Sequence, residues 1–531
     1  LVEQLLASRQ VDFEQVLYLP NGSQVRSANG ALIASRNGKL TLQSDRVIGQ
    51  LLDGFEISPL SLLTDVKELS FNNDDRVEAY IVDLDQVTTS SNSRSGFIYI
   101  ISLLDRQSVS AEVSGNDDPV RLNGNDLDIN NPITTTEDIT VTTANPINTI
   151  VVVQNENPLF ANTALVPSLF PEGVGALVLD QVELNFLRTD STLFIGSEKL
   201  LNPIILGDGS MTVLNFGAPS TTIRGDWIHM RSPLSGRNVY VAGDGSTLTV
   251  SADGTFGTFV VQDALLIDGT RTITTNVGSM RFFGPGTIDA KNGTNSDNLA
   301  LASAGSVSFE GAVGAVNALQ DLTVSAATTV TFDDSVAVDR NLTITGGTIV
   351  TFNGDVNVVG DLVITGVSRV TFNGQVTVGG RIIIVTTGGN ITFGVDTTAG
   401  GSITLSTPVD RDILVQGRMT AGNGSADLEV TRTRNVTFTD SVVVRDFRLV
   451  DGRGAARFDS SVTANGTFHL KSLVLADINS DLRVVGGGAL TIIADEIDFD
   501  GGSGSVSGTG VVTLQPTADG VSIDIGSPLL G

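Results

Sequence analysis

Between positions 307 and 393 the chain writes nearly the same phrase every twenty or so residues. Val330-Thr331-Phe332, Val350-Thr351-Phe352, Val370-Thr371-Phe372 and Ile391-Thr392-Phe393 are copies of one tripeptide. Between them stand Asp321-Leu322-Thr323-Val324, Asn341-Leu342-Thr343-Ile344, Asp361-Leu362-Val363-Ile364 and Arg381-Ile382-Ile383-Ile384. A fixed period of this length marks a stacked solenoid, in which one repeat cannot bury its apolar face alone.

Residues 350 to 369 show how one repeat becomes one coil. Val350 and Phe352 point one way and Thr351 the other, and Asn353-Gly354 supplies a sharp corner. Val356 and Val358 alternate with Asp355 and Asn357, and Gly360-Asp361 turns again. Leu362 and Ile364 alternate with Val363 and Thr365 before Gly366 closes the turn. Three short strands of period two per repeat predict an all-β, parallel β-helix, wound right-handed as parallel crossovers are. Phe332, Phe352, Phe372 and Phe393 are expected to form an internal ladder, with Asn353 over Asn373 as an amide ladder at one corner.

The period organises the chain into three regions. Residues 1–130 read as a less regular, β-rich start or cap, 131–300 as irregular coils, and 301–531 as the regular solenoid. Two short helices are expected in the first region. One runs through Leu1, Leu5, Leu6, Phe13, Val16 and Leu17; the other starts at Ser58-Pro59, ahead of Leu62, Leu63, Val66 and Leu69. The last strands carry no polar cap, and Leu1 stands where a start residue would, so a processed chain or a piece of a longer one is expected. An uncapped sheet edge invites strand addition from another copy.

Charge narrows the partners. With 31 basic against 59 acidic residues the net charge is −28, which repels nucleic acid and anionic membrane. No apolar run is long enough to span a bilayer, so membrane insertion is not expected. The absence of cysteine rules out disulfides and leaves stability to the ladders. Outward Thr, Ser and Asn give the neutral polar skin of a secreted, extracellular protein, and self-association into a polymer or surface assembly is the partner expectation.

The Val-Thr-Phe coils and the stretch from Ala494-Asp495-Glu496-Ile497-Asp498-Phe499 to Ser505-Val506-Ser507-Gly508-Thr509-Gly510 resemble the very large secreted bacterial β-solenoid proteins. That group includes the filamentous-haemagglutinin-like adhesins. The resemblance covers about 300 to 531 well and 131 to 300 in style only. It implies a bacterial cell-surface role in adhesion, matrix or filament building, with contact to host or matrix surfaces.

Chemistry is sparse. Parallel β-helix enzymes that cut polysaccharides need clustered carboxylates in a groove, often beside His, Lys or Arg. Here His229 and His469 are far apart, and Asp333-Asp334 reads as a corner variant of Asn353-Gly354. A catalytic role is therefore not expected, and an enzyme ranks third behind a structural subunit and an adhesin stalk. Two acidic stretches suit a hard cation such as Ca²⁺: Asp117, Asp118, Asp126 and Asp128, and then Asp495, Glu496, Asp498 and Asp500. Solvated turn clusters are the competing and stronger reading of both. Arg224-Gly225-Asp226 spells an adhesion tripeptide, but a turn anchored by Trp227 explains it as well. Asn341 sits in a sequon, yet it is in phase with Asp321 and Asp361, which favours a structural corner.

Overall fold

The computed structural model describes residues 119–518 except 124–126, 130–131, 144–148, 155–175, 198–201, 243–246, 285, 293–295 and 327; within 1–118 it describes only the backbone of a set of strands. The fold is all-β, 59% strand and 3% helix, and its parallel coils form a β-solenoid of about 17 turns of roughly 21 residues. The chain divides into two compact units, Leu1–Ala264 and Leu265–Gly531.

In the second unit each coil contributes one strand to each of three parallel faces. The first face stacks Val307–Phe309, Thr329–Phe332, Ile349–Phe352, Arg369–Phe372 and Ile391–Phe393. The second stacks Val356–Val358, Val376–Val378, Thr397–Ala399 and Met419–Ala421. The third stacks Leu362–Val367, Ile382–Thr386, Ile403–Ser406 and Leu428–Arg432. Register is in phase with the repeat: Val350 pairs with Val370 and Phe352 with Phe372. A slip of one residue would turn every inward side chain outward, so burial fixes this register.

The interior is a set of side-chain ladders. Phe309, Phe332, Phe352, Phe372 and Phe393 are buried and stack with centroids 4.4 to 4.9 Å apart. That spacing is the rise between neighbouring parallel strands, so each ring sits on its counterpart one coil away. The ladder is interrupted where Ile413–Val415 brings Val415 to the ring position, and resumes with Phe438 over Phe458 at 5.1 Å. A second stack, Phe447 over Phe468 at 4.8 Å, lies on the third face.

The first unit uses the same device with more irregular connections. Leu214–Arg224, Leu234–Ala242 and Gly254–Gln262 pair in parallel, each bending from one face to the next. Thr149–Val152, Ile204–Leu206, Trp227–Met230 and Thr247–Val250 build a further face.

Both helix expectations near the amino terminus need correction. Leu62–Asn73 is a strand paired along Leu32–Ser44, not a helix started by Ser58-Pro59. A local start signal is worth little against ten pairs of parallel strand pairing in two registered runs. Val16 and Leu17 likewise lie in the strand Gln15–Tyr18, while residues 1–14 are outside the described residues. A helix does occur at Gln181–Phe186, where no helix was expected. Asp180 caps the amides of Val182 and Glu183 at 2.8 and 2.9 Å, and Glu183 returns a bond to the Asp180 amide at 2.7 Å. Its signal, Asp180-Gln181-Val182-Glu183, is a legible capping box.

Candidate functional site

The corners between strands carry most of the ordered polar chemistry of the second unit. Asn373 Nδ2 donates to Asn353 Oδ1, and Asn353 Nδ2 to Asp333 Oδ1, both at 2.8 Å. The expected amide ladder therefore exists, and Asp333 is its acidic first rung. Asp334 accepts from the Ser335 amide at 2.6 Å, so the paired carboxylates serve the corner. At another corner Asp321 accepts from the Asn341 amide at 3.2 Å, Asn341 Oδ1 from the Asp361 amide at 3.0 Å, and Asp361 from the Arg381 amide at 2.8 Å. Asn341 is thus a rung of a ladder, as its phase suggested.

These carboxylates have cationic partners one coil away. Arg340 Nε donates to Asp321 at 2.8 Å, Arg381 Nη2 to Asp361 at 2.8 Å, and Arg434 Nε to Asp412 at 2.9 Å. Hydrogen bonds from those guanidinium groups hold the Asp321, Asp361 and Asp412 carboxyls below their ordinary value of 3.8. Part of the acidic content is therefore coil-to-coil fastening, matched by arginines.

The predicted carboxyl-terminal cation ligands separate. Asp495 accepts from the Thr517 amide at 3.3 Å, a further corner contact, and Glu496 is exposed. Asp498 and Asp500 come together with Asp477, one carboxylate oxygen from each lying within 4.8 Å of the others. Sequence reasoning missed Asp477, although the period could have found it: Asp477 pairs directly with Asp498 on the next strand. Asp117, Asp118 and Asp126 lie outside the described residues, and nothing is described of the Asp128 side chain.

Partial desolvation, then the charges of Asp500 and Asp477, push the Asp498 carboxyl above its ordinary value of 3.8. Arg457 answers this only in part, at 3.6 Å from Asp477. Three hard oxygens in reach of one another fit a divalent cation that fills its remaining positions with water. Without one, ionising Asp498 works against folding, and the penalty is present above its raised value and relieved in acid. Asp498→Asn is expected to raise the melting temperature at pH 7, with the gain shrinking as pH falls toward 4. The paired Asp361 has the opposite sign: its contribution is present above 3.8 and lost as pH falls toward its lowered value. Melting curves of both Asn variants across this range check the two signs.

The remaining sequence candidates occupy structural positions. His229 Nε2 lies 2.8 Å from Ser251 Oγ, with the Trp227 ring 5.4 Å away. His469 faces outward beside Arg448, and burial, then the charges of Arg448 and Lys471, lower its pKa. Arg224 lies over the Phe194 ring at 5.2 Å, and a side chain on Gly225 would meet the Asn202 carbonyl at 2.4 Å. The Arg-Gly-Asp tripeptide is thus a packed corner between two strands. Gly422–Gly424 is a single 3₁₀ turn with Asn423 at φ 50°, its Gly424 carbonyl accepting from Asn465 at 2.9 Å.

No protein-family model, no curated protein and no solved structure matches this chain.

Proposed function

We propose that this protein is an extracellular structural element of a bacterial surface, a subunit of a fibre, sheath or surface layer built from β-solenoids. The continuous coil stack supports this reading best. Each described coil of the second unit is fastened to the next by backbone pairing, by inward ladders and by corner side chains, an arrangement suited to length and stiffness. The resemblance to large secreted bacterial solenoids points the same way.

Edge-to-edge assembly through the last described coil is part of this proposal. Glu496–Phe499, Val506–Gly508 and Val512–Gln515 each pair with a preceding strand only, among the described residues. Val511 and Val512 are 71% and 59% exposed beside them. Such an edge offers backbone donors and acceptors to another strand. An adhesin stalk, holding a binding tip away from the cell, is the second reading, and it needs no such contact. A carbohydrate-active enzyme is a third and weaker one, since Asp333 and Asp334 are engaged at a corner.

Electron microscopy of the purified chain, with and without residues 501–531, tests the choice. The full chain is expected to form ordered polymers and the truncated one isolated rods with residues 300–393 still folded. Equal assembly by both would remove this edge as the contact and favour the stalk. Calcium belongs to the proposal as a bridge at Asp477, Asp498 and Asp500. Millimolar Ca²⁺ should then raise the melting temperature of the native chain and not of Asp498→Asn, and an equal response of both would exclude that bridge.

A further inference from the structure

A depression of about 400 Å³ opens on the second unit, at the junction of its third and first faces, and takes in the Asp412–Arg434 corner pair. It runs from Thr348 and Ile349, past Ser368 and Arg369, to Asp412 and Arg434. That path is four coil steps of about 4.8 Å, or roughly 19 Å. Gly388 and Gly389 belong to its lining, so one coil brings no side chain into it at those two positions.

The groove is rich in unused donors. Arg434 gives two N–H groups to Asp412, at 2.9 and 2.5 Å, and Arg411 gives Nε to the Gly388 carbonyl at 2.6 Å. A guanidinium has five donors, so both keep several, in forks already held in place. Arg369 is exposed and has no carboxylate partner among the described residues. Of the two carboxylates in the lining, Asp412 takes bonds from Arg434 and from the Asn435 amide and side chain, and Asp410 pairs with Arg411 at 3.0 Å while staying exposed. Such a surface suits an extended ligand that mostly accepts.

We propose that this groove binds a carboxylate-bearing oligosaccharide, with Arg369 taking a uronate carboxylate and Ser368, Thr348 and Asn390 meeting hydroxyls. An acidic peptide fits less well. The Arg369 amide is engaged by the Thr348 carbonyl at 3.0 Å and the Arg434 amide by that of Arg411 at 2.7 Å, so neither is open to an added strand. Ile349 is the one large apolar side chain in the lining. The inference holds whether or not the chain polymerises.

Calorimetric titration of the full chain with tetragalacturonate at pH 7 tests it, with maltotetraose and tetraglutamate as comparisons. Arg369→Gln should weaken tetragalacturonate by about tenfold, as loss of one charge-assisted contact does. Gly388→Leu should block binding by placing a bulky side chain in the lining; Gly388 lies outside the left-handed region, and its added Cβ would come no nearer than 3.4 Å to Ser368 Oγ. Arg483→Gln, in the strand Leu482–Val484 outside the groove, should leave affinity unchanged. Melting curves identify any variant that fails to fold, and Arg369→Gln decides if Gly388→Leu does. Absence of binding, equal binding by Arg369→Gln, or an equal loss in Arg483→Gln overturns the site. Equal affinity for tetraglutamate or maltotetraose overturns the ligand class.

Discussion

Replacing Phe352 with alanine is expected to cost about 3–5 kcal/mol, the range for emptying a buried aromatic site. Phe352 is fully buried and stacked at 4.8 Å on both Phe332 and Phe372. Backbone pairing holds the coils about 4.8 Å apart, so the neighbouring rings cannot close the gap without breaking strand bonds. Damage should therefore stay local and appear as new protease sites between about 330 and 375, with a lower melting temperature. An unchanged digestion pattern would mean that the ring contributes little to the stack.

The second large effect is expected at a glycine. A Cβ on Gly374 would lie 2.2 Å from the Gly354 carbonyl oxygen and 2.3 Å from its carbon. The obstacle is backbone of the adjacent coil, which shifts only if the corner opens. Gly374→Ala should therefore destabilise by about 1–3 kcal/mol, the usual cost of overpacking. Gly217 provides the contrast, since a Cβ there meets nothing within 4 Å. Gly217→Ala should leave the melting temperature nearly unchanged. Similar losses in both variants would show that chain flexibility, and not coil-to-coil contact, sets the glycine requirement.

Regular coils were readable because each inward position repeats. Val350, Phe352, Val356, Val358, Leu362 and Ile364 are all buried, as alternation required. Asn353 and Asn373 meet for the same reason, since identical positions stack. Legibility failed where a long-range partner decides. Leu62–Asn73 carries a helix start signal but pairs as a strand, and Asp477 joins the acidic group only through its register with Asp498. Thr397 takes an inward position between Val376 and Met419, buried with its hydroxyl unpartnered, so polarity there says nothing of direction. The groove at Gly388 was invisible for another reason: it depends on what one coil lacks and on which side chains the neighbouring coils place around it.

Because the chain has no cysteine, spin labels can be placed without removing native thiols. Thr331, Thr351, Thr371, Thr392, Leu414 and Thr437 are successive outward positions of the first face. Thr331→Cys with Thr437→Cys therefore spans five coil steps, and double electron–electron resonance between the labels should give one narrow distance near 24 Å. A distance well above 40 Å, or a broad distribution, would contradict a stack that rises one strand spacing per repeat.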